Sequence, residues 1–470
     1  MRTILFILIC FLTIIFISSN AVEKKVTPNE FILTFESNRI LQQSHDLNQW
    51  NDLRSKKSSY TNHYPLENEY FKTRKIDYSL FSNYSTNNDV ALLNFDQEVI
   101  NIWSNQYPWG TSVYLLDDGS IIKSGQVPNP PFQAPGWGGN IQRLDWNSNV
   151  IWNYNLINEQ YLLHHDIEIL PNGNILAIAW DVITENDAID LGRNPLLLRE
   201  SAGNVVWSEA IIELQTNGTN TPEIIWIWKA RDHLIQDFDN TKDNFGIIAN
   251  HPELINFNYP ENDDNPDWLH FNGIDYNEEL DQILLSCRTF SEIWIIDHST
   301  TTEEAAGHSG GNSGKGGDLL YRYGNPSAYN KGDVSSQSLQ FQHNPNWISK
   351  GLLGEGNILI FNNGNQRGYS SVDEITPPLN NQGLYDLLDN GTYGPTNLTW
   401  SYDGGTNNFF GPFTSGAQRL HNGHTLVSVG PARRIFEVDL NNEIIWDYTP
   451  NTGQGFFFKA ERYLFDIPNN

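Results

Sequence analysis

Ile169-Leu-Pro-Asn-Gly-Asn-Ile-Leu176 is a pair of apolar strand ends joined by an Asn-Gly turn, and the chain repeats it. Leu115-Leu-Asp-Asp-Gly-Ser-Ile-Ile122 and Leu420-His-Asn-Gly-His-Thr-Leu-Val427 are close copies, and Leu353-Gly-Glu-Gly-Asn-Ile-Leu-Ile360 is a looser one. Asn-Gly and Asp-Gly supply the positive φ angles that a two-residue hairpin needs. A second unit alternates with the first: an apolar strand ending in tryptophan, as in Glu98-Val-Ile-Asn-Ile-Trp103, Asn149-Val-Ile-Trp152, Asn204-Val-Val-Trp207, Glu223-Ile-Ile-Trp226 and Glu443-Ile-Ile-Trp446. Paired, the two units make four-stranded blades, and self-similarity of this kind marks a radial repeat architecture.

Five blades fall within the chain, at about 112–154, 162–229, 268–324, 340–402 and 415–448. A sixth combines the C-terminal strands from Phe456 to Phe465 with those around Ile76–Trp103, so that both termini close one ring and leave no free sheet edge. The expected fold is all-β, a six-bladed β-propeller over 76–470 with a short N-terminal extension over 22–75. An irregular β-sandwich accounts less well for hairpins that alternate with tryptophan-ending strands.

Residues 1–21 read as a signal peptide: Arg2, an apolar run from Ile4 to Ile17, and Ser19-Asn20-Ala21 as a small-residue cleavage site. The run is too short to span a membrane comfortably. The expected product is periplasmic or secreted, cut after Ala21, with no stable membrane insertion. Cleavage removes Cys10 and leaves Cys287 without an intramolecular partner. With 28 basic against 56 acidic residues and a net charge of −28, the chain should repel nucleic acid and anionic membrane surfaces. An anionic substrate therefore needs a locally basic pocket. Thr300 to Gly317, rich in Gly, Ser and Thr, reads as a mobile loop, and its Gly310-Gly-Asn-Ser-Gly-Lys315 lacks the spacing of a phosphate-binding P-loop.

Three histidines recur where blades open: His165 in Leu162-Leu-His-His-Asp166, His270 in Asp267-Trp-Leu-His-Phe-Asn272, and His343 in Gln342-His-Asn344. One such histidine is ordinarily a hydrogen-bonded packing residue. The same structural position in three successive blades points instead to convergence on one pocket. Asp166 is positioned to fix the His165 tautomer, and Asn272, two residues from His270, points to the same side of a regular strand. Neutral imidazole is a nucleophile near pH 7, and Arg288 with amide and imidazole donors can hold an oxyanion. Zinc binding by these histidines is disfavoured by the nearby arginine and by the lack of a carboxylate beside each one. No Gly-x-Ser-x-Gly elbow or Asp-x-Asp-x-Asp-Gly calcium loop is present. Glycosylation sequons at Asn83, Asn217, Asn390 and Asn397 are matches that a chain this rich in Asn produces by chance.

From about Asp77 to Phe465 the chain resembles the bacterial arylsulfotransferases. The likeness is carried, in order, by His164-His-Asp-Ile-Glu-Ile-Leu-Pro-Asn-Gly-Asn-Ile-Leu176, Asp267-Trp-Leu-His-Phe-Asn272, Ile283-Leu-Leu-Ser-Cys-Arg288, Gly354-Glu-Gly-Asn-Ile-Leu-Ile-Phe-Asn-Asn-Gly364, Ser415-Gly-Ala-Gln-Arg-Leu420 and Arg434-Ile-Phe-Glu-Val438. The resemblance implies a six-bladed propeller that moves a sulfuryl group from an aryl sulfate donor to a phenolic acceptor with no cofactor and no metal. It implies transient sulfation of His343, oxyanion binding by His270, Asn272 and Arg288, and a further catalytic histidine at His165. The chain lacks the cysteine pair of better-known members, and its N-terminal segment is short for their appended β-domain. Two other readings remain open from the residues: a non-catalytic propeller binding a sulfated or aromatic ligand, and a sulfatase-like hydrolase using the same site.

Overall fold

The computed structural model describes residues 76–465 and 467, apart from 83–88, 105–106, 108–110, 217–220, 262, 406–407 and 452–454. The signal peptide (1–21), the extension (22–75) and the sequons at Asn83 and Asn217 lie outside the described residues.

Strands β1 (Ile76–Phe81), β2 (Val90–Asn94) and β3 (Val99–Trp103) begin the first sheet. The next sheet is β4 (Val113–Leu115), β5 (Ile121–Gln126), β6 (Gly139–Leu144) and β7 (Val150–Asn155). β8 (Tyr161–Ile169), β9 (Ile175–Ile183), β10 (Val206–Gln215) and β11 (Glu223–Lys229) follow, with helix α1 (Glu185–Asp190) between β9 and β10. A short parallel pair, β12 (Leu234–Ile235) and β13 (Ile255–Asn256), precedes β14 (Phe271–Asn277), β15 (Gln282–Cys287) and β16 (Glu292–Asp297). Helix α2 (Thr302–Ala305) leads to β17 (Tyr321–Tyr323). The last two internal sheets are β18 (His343–Trp347), β19 (Ile358–Asn362), β20 (Ser371–Ile375), β21 (Trp400–Tyr402), then β22 (Gly416–Arg419), β23 (Thr425–Val429), β24 (Arg434–Val438), β25 (Ile444–Tyr448).

Each group of four is one antiparallel sheet, and the C-terminal β26 (Ala460–Phe465) pairs with β1 from Ala460↔Phe81 to Phe465↔Ile76, giving six four-stranded blades. The ring is thus closed by a sheet that takes strands from both ends of the chain, as the sequence repeats require. Strands β8, β14, β18, β22 and β26 open their sheets and contact the opening strand of the neighbouring blade, so they line the centre.

Local chemistry explains the repeats. Middle strands are covered on both faces by adjacent blades, so β15 and β16 are buried throughout. Outer strands expose two apolar residues and then bury a tryptophan: Val150 and Ile151 before Trp152, Ile224 and Ile225 before Trp226, Ile444 and Ile445 before Trp446. Truncating such a buried aromatic typically costs about 3–5 kcal/mol. The Asn204–Trp207 unit departs from this pattern: Trp207 is half-buried near the start of the middle strand β10.

The hairpin turns differ from the two-residue form expected. Leu170 N–H donates to Asn174 O and Gly173 N–H to Leu170 O, and only Gly173 (φ 85°) is left-handed. The loop therefore holds three residues: a type I turn followed by a left-handed glycine, the next most common hairpin form. Gly119 and Gly423 make the same turn.

The 300–317 segment is folded rather than a mobile loop. Thr301 and Glu304 form a capping box on α2, and the Asp297 carboxylate accepts from Ser299 N–H, Ser299 Oγ and Ser313 N–H. Left-handed Gly310, Gly311, Gly314 and Gly316 let the chain close on itself.

Candidate active site

The innermost strands bring one residue per blade to a common place: Thr111, His165, His270, His343, Thr414 and Phe458, all but His165 within two residues of a strand start. The pleat is deliberately broken there. β8, β14 and β18 each carry a bulge, between Leu163/Ile167, Phe271/Ile274 and His343/Asn346. His165 (φ 50°), His270 (φ 52°), Asn344 (φ 47°) and Thr414 (φ 50°) are left-handed. Non-glycine residues in this region cost about 1–3 kcal/mol each and concentrate at functional sites. The bulges re-aim the side chains.

His343 is fully buried. Its Nδ1 lies 2.8 Å from Asn363 Oδ1 and 3.1 Å from the Phe341 carbonyl, both acceptors, so Nδ1 carries the proton. Nε2 then holds a lone pair, which accepts the Thr414 N–H at 3.1 Å. Burial, then the Arg288 charge, push the imidazole pKa down to about 3 against the opposing pull of Asn363. At pH 7 the ring is a neutral nucleophile of fixed tautomer.

Arg288 follows β15 directly and lies over the Phe341 ring, 4.6 Å from its centroid. No hydrogen bond is made to its guanidinium among the described residues. Its charge depresses both His343 and His165. A half-buried arginine without a hydrogen-bonding partner, in the otherwise acidic chain, is the locally basic element an anion requires.

His165 stands edge-on to His270, with ring centroids 4.6 Å apart. Behind it runs a buried chain: His165 Nδ1 is 2.8 Å from His164 Nδ1, and His164 Nε2 is 2.8 Å from Glu209 Oε2. Glu209 Oε1 accepts the Phe271 N–H at 2.8 Å, and His164 stacks on Trp180 at 4.1 Å. Burial, then His270, hold His164 and His165 well below the ordinary imidazole range; burial, then Asp267, raise Glu209 well above the carboxylate range. The three groups share protons and carry little net charge. Gly136 closes the far side of His165. A Cβ on it would lie 2.1 to 2.5 Å from three atoms of that ring, so only glycine fits.

The structure thus brings His165, His270, Arg288 and His343 together. Asn272 sits beside them at the β14–β18 seam, its Nδ2 donating to the Gln342 carbonyl at 2.9 Å. Two expectations fail. Asp166 does not fix His165: the β8 bulge turns it away, onto Tyr114 OH (2.8 Å) and Lys459 Nζ (3.0 Å), and His164 takes that role. One histidine does have a carboxylate, since Asp267 Oδ2 is 2.5 Å from His270 Nδ1, with Asp267 Oδ1 held by Trp180 Nε1. Still, among the described residues the one group placing three His, Cys, Asp or Glu ligand atoms within 4.8 Å is His233, His308 and Asp318, not this pocket.

Sequence reasoning gave no role to Asn363, Thr414, Asp267, His164, Glu209 or Gly136. Asn363, Asp267 and His164 lie in the quoted arylsulfotransferase-like stretches, where pairing with a catalytic histidine was the available signal. Nothing local marks Glu209 or Gly136.

Propeller and pocket together gather three histidines and an arginine at the centre of the ring. The family model described as Arylsulfotransferase (ASST) matches residues 97–454. The chain belongs to the arylsulfotransferase family. No curated protein matches it. Similar solved structures include a Bacteroides caccae protein of unknown function (13% identity, TM-score 0.45, covering 82% of this chain and 98% of that one). Another is virginiamycin B lyase from Staphylococcus aureus (12%, 0.36, 77% and 78%). A third is a putative 6-phosphogluconolactonase from Bacteroides fragilis (10%, 0.39, 86% and 100%). At these scores they carry no argument about function.

Proposed function

We propose that the protein transfers a sulfuryl group from an aryl sulfate ester to a phenolic acceptor through a sulfohistidine on His343. The neutral His343, its Nδ1 proton held by Asn363 and its ring within the field of the Arg288 guanidinium, which no side chain among the described residues hydrogen-bonds, carries this reading. In the first half-reaction the Nε2 lone pair forms an N–S bond while the S–O(aryl) bond breaks and its electron pair leaves on the phenolate. Thr414 N–H gives up Nε2 as the bond forms and becomes available to the sulfuryl oxygens, with Arg288. His165 Nε2–H protonates the leaving phenolate. Its proton is replaced along the chain: His164 Nδ1–H moves to His165 Nδ1, and Glu209 supplies His164 Nε2. The second half-reaction reverses these steps with the acceptor phenol, and Glu209 regains its proton. Donor and acceptor are small esters and phenols, which suits export on the 1–21 signal. Turnover of a chromogenic aryl sulfate should rise several-fold on adding phenol, with sulfated phenol as product. Phenol-independent release of inorganic sulfate at the same rate would make the protein a hydrolase.

A further inference from the structure

His233, His308 and Asp318 lie outside the histidine pocket, and their geometry demands a positive charge between them. His233 ends the 3₁₀ turn Ala230–His233 after β11, is fully buried and lies parallel to Trp228 with centroids 5.6 Å apart. Its Nε2 is 2.8 Å from the Ala305 carbonyl. A carbonyl only accepts, so Nε2 bears the hydrogen and Nδ1 of the neutral ring presents a lone pair. That Nδ1 faces Asp318 Oδ1 at 2.9 Å, and His308 Nδ1 faces the same oxygen at 2.7 Å. Lone pair against carboxylate oxygen is repulsive unless a cation, or an added proton on a buried ring, sits between.

We propose that these three side chains bind a divalent transition metal, zinc by preference, which fastens the 302–318 loop of one blade to the outer strand β11 of its neighbour. Two imidazoles and one carboxylate are a borderline ligand set that favours zinc over calcium or magnesium. Zn–N and Zn–O bonds of about 2.0–2.2 Å in tetrahedral geometry put neighbouring ligand atoms about 3.3 Å apart. The observed contacts open by roughly half an ångström to admit the ion, and the ligand atoms already lie within 4.8 Å of one another. The His233 N–H on the Ala305 carbonyl is the outer contact that orients a metal-bound imidazole. The His308 side chain is 62% exposed, which leaves an entry path and room for water as fourth ligand.

The glycines of the loop serve this arrangement. A Cβ on Gly317 would fall 2.1 Å from Ala305 O and 2.6 Å from His233 Nε2, and one on Gly316 (φ 60°) would fall 2.3 Å from Gly307 O. Only a bare backbone lets Ala305 and Asp318 close on opposite edges of His233. Trp228 Nε1 donates to Gly317 O at 2.8 Å, so the loop already rests on β11.

The test is calorimetric titration of zinc chloride into the chelator-stripped full chain, with melting measured alongside. The expected result is one equivalent of zinc per chain and a raised melting temperature, with affinity reduced at least about tenfold in His308→Ala and in Asp318→Asn. His308 is exposed, so its variant tests the ligand without disturbing the core. Absence of saturable binding, equal affinity in wild type and His308→Ala, or calcium uptake in preference to zinc would overturn the proposal.

Discussion

Replacing Arg288 with alanine should separate catalysis from folding. The guanidinium makes no hydrogen bond within the described residues and lies over one ring, Phe341, at 4.6 Å. Such a contact is worth about 0.5–1 kcal/mol, which for a domain this large shifts melting by about 2 °C or less. The same group is the pocket's fixed cation. Loss of one preorganised donor to a developing oxyanion costs about 3–4 kcal/mol, or 10²–10³-fold in turnover. His343 stays neutral in the variant, because burial rather than Arg288 is the leading cause of its depressed pKa. Arg288→Lys keeps the charge without the two-pronged donor set, so it should recover a minor part of the rate. The assay is initial rate on an aryl sulfate with saturating phenol, beside a thermal melt. Near-normal turnover in Arg288→Ala, or a rate loss matched by a large fall in melting temperature, would refute the oxyanion role.

Glu209→Gln keeps the shape of the buried chain but has no proton to lend, so His165 can neither give nor take one without charging. Its rate deficit, up to about 10²–10⁴-fold, should grow with the pKa of the leaving phenol and nearly vanish for 4-nitrophenyl sulfate; a deficit independent of leaving group would mean that Glu209 is only structural. Gly136→Ala should displace the His165 ring and cut turnover, since the new Cβ overlaps three ring atoms; an unchanged rate would show that His165 is not held there during catalysis. The pH dependence follows from His343, whose folded-state pKa of about 3 lies below the ordinary value of 6.5. Above pH 6.5 folded and unfolded states are both neutral there. As pH falls toward 3 the unfolded state takes the proton first, and stability is lost by on the order of 5 kcal/mol from this group. Melting of His343→Asn should therefore fall less steeply than wild type between pH 6.5 and 4. The same steepness in both proteins would contradict a neutral buried imidazole.

The ring was legible because blade packing writes itself into composition. Middle strands are buried and largely apolar, four outer strands bury a tryptophan, and turns need glycine at one left-handed position. Even the joining of Phe456–Phe465 to the first strands followed from the repeat count. The site was half legible. His165, His270 and His343 recur at one place per blade, which a linear reading can see. Their partners cannot be read the same way, since Glu209 lies 45 residues from His164 and Thr414 lies 71 from His343. The Asp166 expectation rested on adjacency in sequence, whereas within the β8 bulge Asp166 faces Tyr114 and Lys459 and His164 meets His165 instead. The glycine-rich loop misled for a related reason. Glycine there provides close approach to His233 and Ala305, whereas composition alone equates it with freedom.

The most direct measurement is the mass of the enzyme after exposure to aryl sulfate with no acceptor, followed by peptide mapping under conditions that preserve N-sulfation. The expected result is one sulfuryl increment on the peptide containing His343, discharged on adding phenol and absent in His343→Asn, with ping-pong kinetics. An increment on another residue, or full transfer by His343→Asn, would contradict the account.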